Sequence, residues 1–165
     1  MQFSPIKSIR VCLDLARVDF KNIFLVFTRI TTGYLKNKNV KIDGYDLKKD
    51  VVEYCNSLSE KFGFDNLKFY CKDIAEIDND DNKISMIITL HACDTATDYA
   101  IYHGIRWNCN VIINVPCCQH ELNRQIHNEV MAPVFSYGVL KERIAALMTD
   151  GLRAQMLEQA GYDTQ

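Results

Sequence analysis

The hydrophobic pattern of this chain changes its period several times, as alternating strands and helices require. From residue 40 onward, strand-like apolar runs and helix-like stretches follow one another at intervals of roughly 20 to 25 residues. Residues 40–45 alternate apolar and polar positions, and residues 67–71 do so again after Gly63, a residue well suited to end a helix. Between them, residues 50–62 place these apolar side chains on one helical face: Val51, Val52, Cys55, Leu58 and Phe62. This order predicts βαβ units and a parallel sheet.

Two nearly continuous apolar runs, residues 84–90 and 111–115, predict the central strands of that sheet. They lack alternation, which is typical of strands covered by helices on both faces. The intervening residues 95–106 predict a helix that begins after Asp94, a suitable N-cap. The side chains at helical spacing on its expected buried face are Ala96, Tyr99, Ala100 and His103.

The two ends of the chain differ in how clearly they can be interpreted. Residues 121–130 predict a helix, and residues 139–157 predict a longer one, with an apolar stripe at positions 140, 144, 147, 148, 152, 156 and 157. At the other end, residues 23–27 are the candidate first strand, and residues 1–39 match the pattern poorly. We therefore expect one α/β domain over residues 1–165, with a mostly parallel sheet and helices on both faces.

Composition narrows the class of protein further. A chain of 165 residues, 48% of them hydrophobic, suits one domain with one sizeable core. The net charge of −2 gives no general attraction to nucleic acid or to an anionic membrane. The seven cysteines are odd in number, and the N-terminus lacks a secretory apolar run, so we expect reduced thiols and a cytoplasmic location. The apolar runs are too short to span a bilayer, so we expect no membrane association.

Candidate chemistry lies directly after the predicted strands, where open parallel sheets bind their ligands. Asp46 ends one strand, where a carboxylate can accept the hydroxyl hydrogen bonds of a ribose or cap the next helix. Asp73, beside Ile74, can bond an adenine amino group or serve as a turn aspartate. Both alternatives stay open for each carboxylate.

The other two strand ends carry denser polar clusters. The first, Leu90-His91-Ala92-Cys93-Asp94, brings an imidazole, a thiol and a carboxylate to the end of a buried strand. The second runs from Asn114 through Pro116-Cys117-Cys118-Gln119 to His120, where proline ends the strand and thiols, an amide and an imidazole follow. Such polar groupings favour a functional interpretation over a structural one.

The stretches LHACDTATDYAI and NVIINVPCCQHELN resemble a family of class I, S-adenosylmethionine-dependent methyltransferases. This family includes the glutathione-S-transferase C-terminal-domain-containing protein, and its paired HACD and PCCQ motifs are fairly specific. The similarity spans residues 40–163 and includes YDLKKDVVEYCN. It implies a Rossmann-like fold, with S-adenosylmethionine as cofactor and binding partner.

The resemblance also implies a role for individual residues. Asp46 and Leu47 would hold the cofactor ribose, and Asp73 and Ile74 would lie near its adenine. His91 would contact the cofactor and, together with Asp94, line the site between cofactor and acceptor. If the reaction is methyl transfer, His91 is the candidate base that removes a proton from the acceptor, and Asp94 or another partner orients it. The wall of the acceptor site would comprise Cys93, Pro116, Cys117, Cys118 and Gln119.

The sequence departs from this family at two places. Family members place an acidic and then glycine-rich loop after the first strand, whereas residues 21–34 contain only Gly33. The chain also ends where the family builds its last two strands, so we expect a domain incomplete at both ends, through truncation or an altered reading frame. The sheet edge beside residues 111–115 is then expected to be partly unpaired.

Three functions compete at this point. The first is methyl transfer without a metal, to an acceptor that can be RNA, protein or a small molecule; a variant makes Cys93 or Cys117 the methyl-accepting nucleophile. The second is a non-catalytic remnant or interaction module, suggested by the missing glycine loop. The third is a zinc site, for which the candidate ligands are His91, Cys93, Cys117, Cys118 and His120.

Overall fold

The computed structural model describes residues 8–13, 40–77, 84–90, 92, 94–116 and 119–165. Five strands form one sheet in the order β3-β2-β1-β4-β5, and all four pairings are parallel. The strands are β1 (Ser8–Leu13), β2 (Lys41–Asp46), β3 (Leu67–Cys71), β4 (Met86–Leu90) and β5 (Val111–Val115). The predicted α/β class with a parallel sheet is confirmed.

Helices follow the strands as the change of sequence period requires. They are α1 (Lys49–Lys61), α2 (Thr95–Arg106), α3 (His120–Gln125), α4 (Ala132–Phe135) and α5 (Gly138–Gln159). A short 3₁₀ turn, Ile74–Glu76, follows β3. Gly63 has a φ of +68° beyond the end of α1, which confirms that this glycine lets the chain leave the helix. In the described part of the chain, no helix combines the length and apolarity that a membrane crossing demands.

The sheet has an apolar core on each face, because successive side chains of a strand point to opposite sides. Ile88 belongs to the cluster that α1 covers with Val51, Val52 and Cys55. Its neighbour Ile87 belongs to the opposite cluster, which includes Ala100 of α2. This arrangement explains why the residues of β4 are apolar without alternation, and it confirms helices on both faces.

The strand order reverses at β1, and this reversal locates the candidate site. β1 pairs with β2 on one side and with β4 on the other, and the last register pair with β4 is Leu13 with Leu90. In open parallel sheets, ligands bind in the crevice outside the carboxyl ends of the strands at such a reversal. The segments that follow β2, β3 and β4 therefore border the expected crevice.

The strand predictions need two corrections. The first described strand is Ser8–Leu13, within the segment that matched the pattern poorly, while residues 23–27 lie outside the described residues. Val111–Val115 is an edge strand of the described sheet and not a central one, and its side chains are partly to well exposed. The expected unpaired edge beside it is present among the described strands, since β5 pairs there only with β4.

Details of the helices also differ from the prediction. In α1, Phe62 is exposed beyond the helix end, and Ser59 takes a buried position by donating its hydroxyl to the Phe64 and Leu67 carbonyls. The helix predicted over residues 121–130 ends at Gln125. On α5, five of the seven side chains of the predicted apolar stripe are exposed, and Ile144 and Leu157 are half-buried. The buried residues of this helix are Ala145 and Arg153.

Candidate functional site

A pocket of about 320 Å³ lies at the carboxyl ends of β2, β3 and β4. Its volume falls within the range of small-molecule sites, roughly 300–1,000 Å³. The predicted cofactor residues on two separate strand ends line it together: Asp46, Leu47, Asp73 and Ile74. Tyr45, Lys72 and Ala75 complete this side, and Ala92, Thr95, Ala96 and Tyr99 form the other.

Asp46 is buried and hydrogen-bonded at the end of β2. Its side chain is 4% exposed, and one carboxylate oxygen accepts a hydrogen bond from the Lys48 amide at 2.7 Å. Its main-chain carbonyl accepts a bond from the Lys72 amide at 3.2 Å, which joins the ends of β2 and β3. The helix cap that the sequence left open is not formed, since α1 has Lys48 at its N-cap position and no side-chain capping bond. The Asp46 carboxylate bonds the amide of that N-cap residue and also borders the pocket.

Asp73, which follows β3, lines the pocket and also caps a turn. Its carboxylate accepts a hydrogen bond from the Ala75 amide at 2.9 Å and so caps the 3₁₀ turn. This turn carries the half-buried Ile74 into the pocket lining. Leu47, 67% exposed, supplies a second aliphatic surface there. The pocket therefore combines two carboxylates with apolar side chains that a flat ring could contact.

Helix α2 supplies the opposite wall through residues that the sequence did not single out as ligands. Tyr99 was expected on the buried face, yet its side chain is 46% exposed and lines the pocket, and Ala96 also borders it. The buried Thr97 donates its hydroxyl to the Ala92 carbonyl, which fixes the start of the helix to the segment after β4. The apolar pattern identified the helix but not which of its aromatic side chains faces the pocket.

Asp94 differs most clearly from its predicted local role. It stands at the N-cap position of α2, but its side chain makes no capping bond to that helix. Its carboxylate instead accepts hydrogen bonds from the amides of His120 at 2.5 Å and Glu121 at 3.2 Å, at the start of α3. Asp94 therefore joins the segment after β4 to the segment after β5.

The segment after β5 is tied in turn to the long helix α5. The Gln119 side-chain amide donates to the Asp150 carboxylate at 2.8 Å, and Nδ1 of His120 lies 2.9 Å from the Glu142 carboxylate. Pro116 borders a different cavity, described below. The structure thus places the predicted wall residues Pro116 and Gln119 beside α5, outside the lining of the cofactor-side pocket.

The remaining predicted site residues, His91, Cys93, Cys117 and Cys118, lie outside the described residues. The base and most of the proposed zinc ligands therefore stay predictions. Within the described ranges, no cluster of three or more histidine, cysteine or acidic side chains could hold a metal ion.

Two described thiols are held protonated by their surroundings. Burial raises the pKa of Cys55 to about 11, and the Asp46 carboxylate nearby adds to this effect. Burial likewise raises the pKa of Cys109 to about 11, although the positive charge of Arg10 acts in the opposite direction. Since the thiolate is the reactive form, these two cysteines are poor nucleophiles at neutral pH.

A larger groove of about 890 Å³ runs beside β5 and the C-terminal end of α5. Its lining includes Asn110, Asn114, Arg153 and Tyr162. Volume alone would favour this groove as the site. We assign the candidate site to the smaller pocket, because that pocket lies where the strand order reverses and gathers side chains from three strand ends.

Comparison with known proteins identifies the family to which this chain belongs. Residues 26–125 match the model of a family described as a methyltransferase domain. This chain belongs to that family. No curated protein matches the sequence of this methyltransferase domain significantly.

Solved structures resemble the domain only distantly. The plantazolicin methyltransferase BpumL, solved with SAH, is 9% identical with a TM-score of 0.44, over 82% of this chain and 49% of that one. The StiE O-methyltransferase (14%, TM-score 0.42) covers 64% and 35% of the two chains. A SAM-dependent methyltransferase from Aquifex aeolicus (13%, TM-score 0.40) covers 59% and 50%. This chain therefore spans between about a third and half of the length of these structures.

Proposed function

We propose that this domain binds S-adenosylmethionine in the pocket at the ends of β2, β3 and β4 and takes part in methyl transfer. The observation that carries the proposal is the convergence of Asp46 and Leu47 with Asp73 and Ile74 in one pocket. The resemblance of the sequence to a methyltransferase family assigned these residues to the cofactor. They lie at or just after the ends of two different strands, β2 and β3. Membership of a methyltransferase family supports the same function.

The pocket suits the parts of a nucleoside. An Asp46 carboxylate oxygen can accept ribose hydroxyl bonds, while Asp73 can accept a bond from the adenine amino group. Leu47, Ile74 and Tyr99 offer apolar surfaces for the faces of the ring. When bound, the cofactor supplies a methyl group on a sulfonium, whose carbon–sulfur bond breaks as the acceptor atom bonds to carbon.

In such a reaction, the protein aligns the acceptor with the methyl group of the cofactor and removes one proton from the acceptor. We propose His91 as the base; in the sequence it directly follows β4 and precedes the pocket-lining Ala92. Asp94 stays in the proposal with a changed role, because its carboxylate is bonded to the amides of His120 and Glu121. It would act on the base by fixing the segment that both residues share. Cys93, Pro116, Cys117, Cys118 and Gln119 remain the proposed acceptor side.

The acceptor itself stays open among RNA, protein and small molecules. We also propose a reducing, cytoplasmic location, with which the free thiols of Cys55, Cys71 and Cys109 agree.

A second candidate function is a domain of this fold that no longer binds the cofactor. The observation favouring it is that no glycine occurs from Asp14 to Thr32, the residues that follow β1. Without glycine, the close backbone approach that usually cradles the cofactor has to be made by other residues. Cofactor binding separates the two functions directly.

The test is calorimetric titration of the purified chain with S-adenosylhomocysteine, with circular dichroism confirming that each sample is folded. We expect micromolar binding by the wild type. Asp46→Asn keeps the acceptor for the Lys48 amide but loses the charge, and it should weaken binding roughly tenfold or more.

The matched control is Asp50→Asn, which removes an exposed carboxylate from the first turn of α1 outside the pocket. It should leave the dissociation constant unchanged. A folded wild type that does not bind S-adenosylhomocysteine would reject the cofactor proposal and leave the non-binding domain.

A further inference from the structure

We infer that Arg153 of α5 is a positioning residue for the candidate cofactor pocket. It would act by holding the segments that follow β4 and β5 in one fixed arrangement. The inference rests on the proposed function for its consequence, and on described contacts for its geometry.

Arg153 is buried, and its guanidinium contacts three acceptor groups, two at the start of α2 and one on α5. Its side chain is 9% exposed, in a helix most of whose apolar side chains face outward. Nε donates to the Asp98 carboxylate at 2.7 Å, and a terminal nitrogen donates to the main-chain carbonyl of Asp94 at 2.9 Å. The other terminal nitrogen lies 3.5 Å from Asp150. A planar guanidinium can serve three such acceptors at once, which an ammonium group cannot do with the same geometry.

The carbonyl that Arg153 binds belongs to a residue in an unfavourable backbone conformation. Asp94 has a φ of +48° and ψ of −125°, a combination that non-glycine residues rarely adopt. Such a conformation persists only where the surroundings hold it. Here Arg153 holds the Asp94 carbonyl, and the amides of His120 and Glu121 hold its carboxylate.

The same group of contacts reaches the segment after β5. Asp150, one helical turn before Arg153, accepts a bond from the side chain of Gln119 at 2.8 Å. Gln119 directly precedes His120, whose amide donates to Asp94. The contacts therefore form a closed loop from Arg153 through Asp94 and α3 back to α5.

This loop of contacts is joined through the main chain of Asp94 to one wall of the pocket. Ala92, Thr95 and Ala96 line the pocket on either side of Asp94 in the sequence. If Arg153 no longer holds Asp94, that residue can relax toward a common backbone conformation and move its neighbours. The expected consequence is weaker cofactor binding, although Arg153 is not among the residues that line the pocket.

The test compares Arg153→Met, which keeps the stem but removes all donors, with Arg143→Met, an exposed arginine on the same helix. Amide hydrogen exchange at Thr97, His120 and Glu121 reports on the held segments, and calorimetry gives the affinity for S-adenosylhomocysteine. Arg153→Met should speed exchange at these amides and weaken binding, each by roughly tenfold or more. Arg153→Lys, with one donor group, should fall between it and the wild type.

Ile42→Val, in the core on the α1 side, controls for a general loss of stability. It should leave the affinity for S-adenosylhomocysteine unchanged while the protein stays folded. If Arg153 had a purely structural role, Arg153→Met would likewise keep the wild-type affinity. Wild-type exchange or wild-type affinity in Arg153→Met would overturn the inference and leave the proposed function standing. If the wild type itself does not bind, the proposed function fails, and the exchange rates alone decide whether Arg153 holds the two segments.

Discussion

Gly44 of β2 lies in parallel register with Phe69 of β3, and the two residues share one face of the sheet. A methyl group at position 44 would come within 2.4 Å of the Phe69 ring. Phe69 is itself buried in the core on the α1 side and cannot move away without disturbing its neighbours. The glycine is therefore required by close packing and not by an unusual backbone angle.

We expect Gly44→Ala to lower the free energy of unfolding by about 1–3 kcal/mol, because the added carbon overpacks a dense core. Urea denaturation followed by circular dichroism would measure the change. Gly151→Ala is the matched control, since a methyl group there meets no atom within 4 Å and position 151 lies inside α5. The control should be neutral or slightly stabilising, because alanine favours helix more than glycine does. Equal effects at both positions would contradict this account.

Among the secondary structure elements, β5 and α5 present apolar side chains to the surface. Ile113 and Val115 of β5 are more than 40% exposed, and Leu147, Leu152 and Met156 of α5 are more exposed still. Among the described strands, β5 has a neighbour on one side only. An exposed strand edge with apolar side chains is prone to pair with another chain.

We therefore expect the isolated chain to self-associate as its concentration rises, and Ile113→Lys to reduce this association. The lysine should cost little stability, because position 113 is 41% exposed. Sedimentation velocity over a range of concentrations would measure the effect. Val130→Lys changes an 87% exposed residue away from the strand edge and should leave association as in the wild type. Association that persists unchanged in Ile113→Lys would exclude β5 as its cause.

At the scale of the whole molecule, the two cores of the sheet each contain a protonated thiol. Cys55 lies in the core on the α1 side and Cys109 in the core on the α2 side. Their pKa values, about 11 each, exceed the ordinary value of 9.0 mainly because both groups are buried. Unfolding would let each thiol ionise at its ordinary pKa, so the two groups link stability to pH.

The sign of this linkage follows from the raised pKa values. The contribution of each neutral thiol is fully present below pH 9.0, and it is lost as the pH rises toward about 11. We expect a loss of about 1 kcal/mol per thiol near pH 10, allowing for partial solvent screening. Urea unfolding between pH 8 and pH 10.5 would measure the slope. In the Cys55→Ala, Cys109→Ala variant the slope should be smaller; an unchanged slope would assign the effect to other groups.

Much of the fold and of the candidate pocket could be predicted from the sequence alone. The strands from Lys41 onward and the helices α1, α2 and α5 follow from apolar periodicity, which is a local property. Asp46 and Asp73 could be brought to one place because the carboxyl ends of parallel strands meet at one edge of the sheet. These conclusions needed only the order of the elements and a general rule of topology.

The rest depends on contacts between residues that are distant in the sequence. β1 at Ser8–Leu13 is defined by its pairing with β2 and β4, and the edge position of β5 depends on the order of the whole sheet. Arg153 reaches Asp98 across 55 positions, and Asp94 reaches His120 across 26. The local sequence around Arg153 and Asp94 does not indicate which distant residues they contact. Periodicity decides which local structure a segment adopts, whereas packing decides which surfaces meet, and therefore which polar groups bond across the candidate site.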